Sequence, residues 1–419
     1  MSKLEELIKE FCPNGVEYKP LWSLTAWDKR FNGIDRSMQK KVVSYKYYLS
    51  SEFNEVERKN GDILYIPTGI TNEKRYTTEE LAGEYLAEGE IVCIPWGGTP
   101  NVKYHKGKFV TGDNRIATSS DTNILDNKYL YYWMQSKIDL IASFYRGAGI
   151  QHPSMKSVLE LQIPLPALPV QREIVRILDS FTLYSNELTA ELTARRKQYE
   201  FYRDKLLTFS QNDFEWTILE KIAVYTNGKG HENNVNEKGK YILINSKFVS
   251  TKGEVIKFVD EQFSPIYQNE FAMVLSDLPN GRALAKCFFV LEDDRYTVNQ
   301  RICKISNINE KILPKFLFYY MDRNKYFLAK DNGVDQTNLS KDYVLQMPIP
   351  VLPLAFQKRI VYVLDNFDAI CSDLGIGLPA EIEKRQKQYE YYREKLLTFD
   401  GKYATILTER NGTERNGQG

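Results

Sequence analysis

Between residues 174 and 209 the apolar positions advance in alternating steps of four and three. They are Ile174, Leu178, Phe181, Leu188, Leu192, Tyr199, Tyr202, Leu206 and Phe209, interrupted only at Ser185 and Arg195. This is a heptad seam, the pattern of a helix that keeps one face against another helix. The pattern returns near the C-terminal end as Ile360, Leu364, Phe367, Cys371, Leu374 and Leu378, then Ile382, Tyr389, Tyr392, Leu396 and Phe399. This second run carries four extra residues at "GIGLPAE" (375–381), where Gly375, Gly377 and Pro379 favour a break and Pro379 suits the first turn of a new helix. Each run is expected to form a shorter helix followed by a long one. Unbroken from Gln171 to Phe209, the first would span ~58 Å at 1.5 Å per residue. Leu192, Tyr199, Tyr202, Leu206, Tyr389, Tyr392 and Leu396 form the expected helix–helix seam. The basic residues off the seam (Arg196, Lys197, Arg203, Lys205 and Arg385, Lys387, Arg393, Lys395) alternate with Glu and Asp, and read as a solvated or subunit-facing surface.

The segments between the helical runs have a different texture. "DILYIPTG", "EIVCIPWGG", "KFVTG", "YILINSKFVS", "GEVIKFV", "FAMVLSD" and "KCFFVLE" are short β-branched or aromatic stretches bounded by Gly, Pro, Asn and Asp. They predict small β-rich domains.

The chain repeats itself. "KQYEFYRDKLLTF" (197–209) and "KQYEYYREKLLTF" (387–399) differ only at Phe201/Tyr391 and Asp204/Glu394. Gln171 aligns with Gln357 (357 − 171 = 186), and "KYLYYWM" (128–134) with "KFLFYYM" (315–321). "VEYKPL" (16–21) echoes "FEWTIL" (214–219), and "GIQHPSMKSVLELQIP" (149–164) sits over "GVDQTNLSKDYVLQMP" (333–348) at an offset of 333 − 149 = 184. A period this long marks a duplicated domain pair, since solenoid repeats run at about 20–50 residues. Likeness is strong in the helical segments and nearly absent across 22–127 and 220–314.

A length of 419 residues allows two or three cores. The opening "MSKLEELIKEF" is amphipathic and gives no sign of a signal peptide, and no stretch reaches the ~18 apolar residues of a membrane span. Five scattered cysteines suit a reducing, cytoplasmic setting rather than a disulfide framework or a zinc site. A net charge of +1 leaves any nucleic-acid contact to local basic patches and to partners. There is no phosphate-binding G-x-x-x-x-G-K-[ST] loop and no H-E-x-x-H. An Asn/Asp-Pro-Pro-aromatic tetrapeptide is also absent, and the three histidines have no metal-ligand spacing, so no catalytic or metal-binding residues are expected. The tail 401–419 reads as disordered.

Candidate chemistry lies in the polar turns of the β-rich regions, because Asn and Gln suit adenine edges while Arg and Lys suit guanine. One turn precedes each helical run, with Gly149, Gln151, His152 and Ser154 set against Gly333, Asp335, Gln336 and Asn338. Thr99, Asn101 and Lys103 in the first region, and Lys229, Lys247, Asn280 and Arg282 in the second, complete the DNA-binding candidates. Each of these could equally be an ordinary surface turn.

Two variable β-rich regions thus alternate with two near-identical helical ones. Each helical region opens on Gln-[Arg/Lys]-x-Ile-Val-x-x-Leu-Asp and closes on Lys-Gln-Tyr-Glu-[Phe/Tyr]-Tyr-Arg-[Asp/Glu]-Lys-Leu-Leu, and over about residues 3–400 the chain resembles the specificity subunits of Type I restriction–modification systems. The resemblance implies an α+β fold with an internal pseudo-two-fold repeat: two β-rich target-recognition domains (1–160 and 213–344) and two conserved long-helix spacers (161–212 and 345–400) packed antiparallel as a coiled coil. It further implies a non-catalytic reader of a bipartite, asymmetric double-stranded DNA target, whose half-sites share one face of the duplex when spaced by about one turn (~10 bp). Its partners would be two modification (methyltransferase) subunits and, through them, restriction subunits. S-adenosylmethionine, ATP and Mg would be bound only in those partners. Two other classes stay open: a self-contained DNA enzyme, and a pseudo-symmetric scaffold that joins protein copies without reading DNA.

Overall fold

The computed structural model describes residues 2–399, apart from 72, 211, 213, 232–233, 280 and 373–376. Asn280, part of the interruption at 375–381 and the tail 401–419 therefore lie outside the described residues. The chain forms two compact units: one from residues up to Thr189 together with those from Ile382 onward, the other from Ala190–Glu381. This grouping cuts across the linear order of domains and spacers, because each unit joins a β-rich domain to parts of two helical segments.

In the first unit a six-stranded sheet runs in the order Thr25–Trp27, Asn114–Ser119, Ala87–Pro95, Lys103–Thr111, Ile63–Ile66, Arg75–Thr77. Only the Ile63–Ile66/Lys103–Thr111 pair is parallel. The central strand Ala87–Pro95 buries five consecutive residues, Ile91 to Pro95, as a strand covered on both faces does. The helix Asn127–Ser136 packs beside it. Its N-cap Asp126 accepts from the N–H groups of Lys128 (2.8 Å) and Tyr129 (3.0 Å), which starts the helix at the acid. Tyr129, Leu130, Trp133 and Met134 are buried on its inner face.

The second unit holds two four-stranded sheets. One runs Ala223–Asn227, Ile302–Asn307, Phe271–Val274, Cys287–Phe289; the other runs Phe258–Val259, Tyr241–Ile244, Tyr296–Val298, Pro265–Ile266. The two short stretches matched in the sequence, 16–21 and 214–219, do the same work. Glu17–Pro20 pairs antiparallel with Gln162–Leu165, and Glu215–Ile218 with Pro348–Val351.

The first helical run is one continuous helix, Leu168–Leu206, rather than a short helix and a long one. Nothing from Val170 onward breaks it: Ser185 and Arg195 interrupt the apolar seam but not the backbone, and no Gly or Pro follows Pro169. The second run is divided, as expected, into Leu354–Ser372 and Leu378–Leu397.

The seam is antiparallel within each unit. In the first, the Arg385 guanidinium lies 5.2 Å over the Tyr184 ring. Phe181 meets Tyr389 and Tyr392 at ring separations of 6.5 and 5.6 Å. In the second, Tyr199 and Tyr202 meet Phe367 at 6.2 and 5.8 Å, and Leu206 shares a cluster with Ile360 and Leu364. Each copy of the repeated word therefore packs on the opening helix of the other copy. Leu192 is half-buried, and Leu397 goes deeper into the first core than its neighbour Leu396. Arg203, taken from sequence as a surface cation, turns inward and pairs with Asp322.

Buried polar side chains recur with the repeat. Gln171 and Gln357 are both fully buried. The Gln171 amide accepts from Asp126 N–H (2.9 Å) and donates to the carbonyls of Ile124 and Pro166 (both 2.8 Å). Gln357 repeats this with Leu313 N–H (2.8 Å) and the carbonyls of Lys311 (2.7 Å) and Leu352 (2.8 Å). Asp179 accepts from the Tyr132 hydroxyl at 2.6 Å and faces Lys128 at 2.8 Å; Asp365 does the same for Tyr319 at 2.5 Å and Lys315 at 3.3 Å.

These landmarks correct one alignment. Ser154 caps the helix Met155–Leu159, and Ser340 caps Lys341–Leu345, which is an offset of 340 − 154 = 186. Ser154 therefore corresponds to Ser340, not Asn338, and His152 corresponds to Asn338. The offset of 184 arose from matching Pro164 to the wrong proline of "MPIP": the strand pairings place it opposite Pro350's position, not Pro348's.

Candidate nucleic-acid interface

In each unit the turn before the helical run lies against the turn that leaves the central strand. In the first unit, Tyr145–Arg146 pairs with His152–Pro153, closing a hairpin over residues 147–151. Gly98 N–H donates to the Gln151 carbonyl (3.2 Å), and His152 Nδ1 lies 2.7 Å from the Trp96 carbonyl. A carbonyl can only accept, so Nδ1 carries the proton and Nε2 of a neutral ring is left as an acceptor. The imidazole rests on Trp96, with ring centroids 4.9 Å apart. A side chain at Gly97 would displace Ile150, since a Cβ there would come within 2.7 Å of Ile150 Cγ2.

Thr99, Gln151 and His152 are exposed on this surface. Asn101 and Lys103 are braces. The Asn101 amide donates to the carbonyls of Thr68 (3.0 Å) and Thr99 (2.9 Å), and the Lys103 ammonium to that of Thr68 (3.0 Å) and to the Asn101 amide oxygen. Partial burial pulls the Lys103 pKa down. Both side chains hold two loops together, which fixes the strand-end geometry while leaving them fewer donors to offer. Ser154 likewise serves as an N-cap, its hydroxyl 2.9 Å from that of Ser157.

In the second unit Ser276–Asp277 pairs with Thr337–Asn338, and the Gln336 amide donates to the Ser276 hydroxyl at 2.6 Å. The Asp277 carboxylate clasps its own turn, accepting from the N–H groups of Leu278 (2.9 Å), Ala283 (2.6 Å) and Leu284 (3.2 Å). Gly281 is required there, since a Cβ would fall 2.1 Å from the Asp277 carboxylate. Arg282 and Asn338 are exposed beside it.

Lys229 and Lys247 belong to the same end of the unit. Lys229 N–H donates to the Val298 carbonyl (3.1 Å), Asn299 N–H to that of Ile244 (3.0 Å) and Leu275 N–H to that of Arg301 (2.9 Å), so the loops form one bonded series. Buried His231 fastens it: Nδ1 lies 2.7 Å from the Lys229 carbonyl, and Nε2 accepts from Phe263 N–H (3.3 Å) and faces the Thr297 hydroxyl (3.0 Å). This histidine is structural.

The sequence reading missed two features. Ile150 and Val334, 71 and 76 % exposed, stand in the two reading turns, with Ile70 and Leu278 on neighbouring turns, both 69 % exposed. Apolar residues inside the glycine-bearing polar stretches "GAGIQH" and "NGVDQT" were the available signal. The second is a buried guanidinium, Arg115, stacked 4.1 Å from Trp96. Among the described residues no cluster of three or more His, Cys, Asp or Glu could hold a metal ion, and no helix is long and apolar enough to cross a membrane. The cysteines are unpaired and buried.

Two differing turn surfaces on a duplicated frame are what a two-part reader requires, and the family comparison agrees. The Type I restriction modification DNA specificity domain matches residues 43–195 and again 208–384. The chain belongs to the type I restriction–modification specificity family. Its function within that family is non-catalytic DNA recognition. The EcoR124I/EcoR124II specificity subunit of Escherichia coli is 33 % identical, over 95 % of this chain and 98 % of its own length. A putative type I specificity subunit of Haemophilus influenzae is 26 % identical, over 82 % of this chain and 89 % of its own. Among solved structures, the S subunit of M. genitalium superposes with a TM-score of 0.58 at 18 % identity, covering 92 % of this chain and 97 % of that one. A chain from a study of complex assembly and conformational transition in a type I R-M system superposes at 0.54 and 13 % identity, covering 93 and 98 %. Both share the fold.

Proposed function

We propose that this specificity chain reads a bipartite, asymmetric duplex target, one half-site per β-rich domain, and docks two modification (methyltransferase) subunits on its repeated helices. Restriction subunits join through those partners. The chain works in the cytoplasm and holds no cofactor itself; S-adenosylmethionine, ATP and Mg belong to the partners. The observation that carries this reading is the outward face of the repeated word. Phe201 and Tyr391 are 63 and 48 % exposed, each beside an identical lysine, Lys197 or Lys387, and an acid, Asp204 or Glu394, along a surface recess. Aromatic side chains left on a helix surface, ringed by charge, are typical interface anchors. Their recurrence in both units fits two copies of one partner. The reading turns differ between the units, as two different half-sites require.

A map of adenine methylation in cells carrying this chain and its modification subunit, against the same cells with this chain deleted, tests the proposal. A split asymmetric motif that disappears on deletion is expected. An unchanged map with both proteins present and associated would instead favour a scaffold that does not read DNA. Alanine at Gln151 and His152, or at Arg282 and Gln336, should relax one half of the motif while leaving the other half and partner binding intact.

A further inference from the structure

A surface pocket of about 380 Å³ opens in the first unit beside the reading turn. Its lining includes four cationic side chains, Lys29, Arg30, Arg115 and Lys156, and no carboxylate. Arg115 is 4 % exposed and is held on three sides. One terminal nitrogen donates to an Asp113 oxygen (2.9 Å) and the Asn114 carbonyl (3.0 Å), an Asp28 oxygen stands 3.8 Å away, and Trp96 covers the guanidinium. Its Nε–H is buried with no acceptor. Buried donors are nearly always paired, so this guanidinium, which lines the pocket, keeps donor capacity that its protein partners leave unused. Asp28 is buried and already accepts from Ile116 N–H (3.1 Å), so it braces Arg115 from behind. Lys156 has no ion pair among the described residues, and neither has Lys29, whose ammonium lies 5.3 Å over the Tyr47 ring.

We propose that this pocket binds a phosphodiester of the DNA backbone next to the half-site read by the first unit. The inference rests on the DNA-reading function proposed above. Two features favour backbone phosphate over a free anion. Trp96 forms one wall of the pocket and also supports His152, and Pro153 to Lys156 continue directly from the reading turn. A phosphate seated here would set the register of Gln151 and His152 on the bases, the positioning role that phosphate contacts play. In the second unit Arg301 stands at the matching position (301 − 115 = 186), just before the strand Ile302–Asn307, but it is exposed where Arg115 is buried, so the buried form of the anchor belongs to the first unit.

The test uses the full chain assembled with its modification subunits and a duplex bearing the mapped target. Binding is followed between 50 and 200 mM salt for wild type and for K29A/K156A, which changes two side chains outside the core; R115M serves as a second variant. The lysine variant should bind about tenfold more weakly, with the slope of log affinity against log salt reduced by about one, while the methylated motif stays the same. A single neutral methylphosphonate linkage at the anchored position should weaken wild type more than the variant, which keeps Arg30 and Arg115. An unchanged slope, or equal sensitivity of both proteins to every linkage, would overturn the proposal. Thermal stabilisation of wild type alone by inorganic phosphate, with no change in the DNA slope, would also overturn it by assigning the pocket to a free anion. If wild type selects no target at all, the reading function fails and the anchor fails with it, a result distinct from selective binding with an unchanged slope.

Discussion

The helical segments and the β-rich domains of this chain obey opposite rules. Where the helices enter the two cores, equivalence extends to individual hydrogen bonds: Gln171 and Gln357 each hold one N–H and two carbonyls, and Asp179 and Asp365 each take a tyrosine hydroxyl and a lysine. In the sheets, one unit builds six strands as a single layer and the other builds two layers of four. A buried polar side chain with three fixed partners tolerates little change, because every lost partner leaves a desolvated group behind. A strand end at the surface tolerates almost any polar residue. Duplication followed by divergence would leave this contrast in a molecule whose two halves must present the same frame but different contacts.

Four experiments can break or sharpen that equivalence, each read by hydrogen exchange in the separate units. Leu178→Ala and Leu364→Ala empty equivalent, fully buried sites, and each should cost its own unit about 4 kcal/mol. Gln171→Met and Gln357→Met keep the volume but orphan three backbone groups, so a matched loss of about 3 kcal/mol is expected. A clear difference between the two would mean that the shared bonding geometry hides different cores. Tyr132→Phe and Tyr319→Phe remove one bond to a carboxylate and should cost about 1.5 kcal/mol apiece.

The smallest effect is one-sided. Glu173 faces Arg176 (2.7 Å) and Lys3 (3.2 Å), which hold its carboxyl below the usual range, whereas Arg359 stands at the matching position of the second run. A depressed carboxylate contributes stability above its unfolded value of about 4.3, and loses it as pH falls through the lower folded value. The first unit should therefore weaken over that acidic window, and E173Q should remove this component. The second unit should show no counterpart.

Much of the frame was legible because heptad spacing is a local signal that survives in a single sequence. Tyr199, Tyr202, Tyr389 and Tyr392 all take the seam positions their spacing assigns. The continuity of Leu168–Leu206 was not read, because the break signalled by Gly375, Gly377 and Pro379 in the second run was extended to the first, which carries no such residues after Pro169. The two-residue error in register arose where closely spaced prolines offer two alignments, and the capping serines 154 and 340 and the strand pairings decide between them. In the reading turns, sequence located the surface but not the division of labour on it. Asn101 and Lys103 look like donors for bases until Thr68, about 35 residues earlier in the chain, is seen to accept from both. Arg115 drew no notice because its partners Asp28 and Trp96 lie on separate strands and loops, and only the fold brings them together.

The way the two units are cut from the chain has a consequence in time as well as in space. The second, Ala190–Glu381, is one uninterrupted stretch, while the first needs Tyr389 and Leu397 to complete a core begun before residue 30. During synthesis the second unit has all of its residues available first. The first, though started earlier, waits unclosed until the helix Leu378–Leu397 leaves the ribosome. Its apolar surface for Tyr389 and Leu397 stays open for that interval, so a chain cut short before residue 389 is marked as unfinished by the part that was made first.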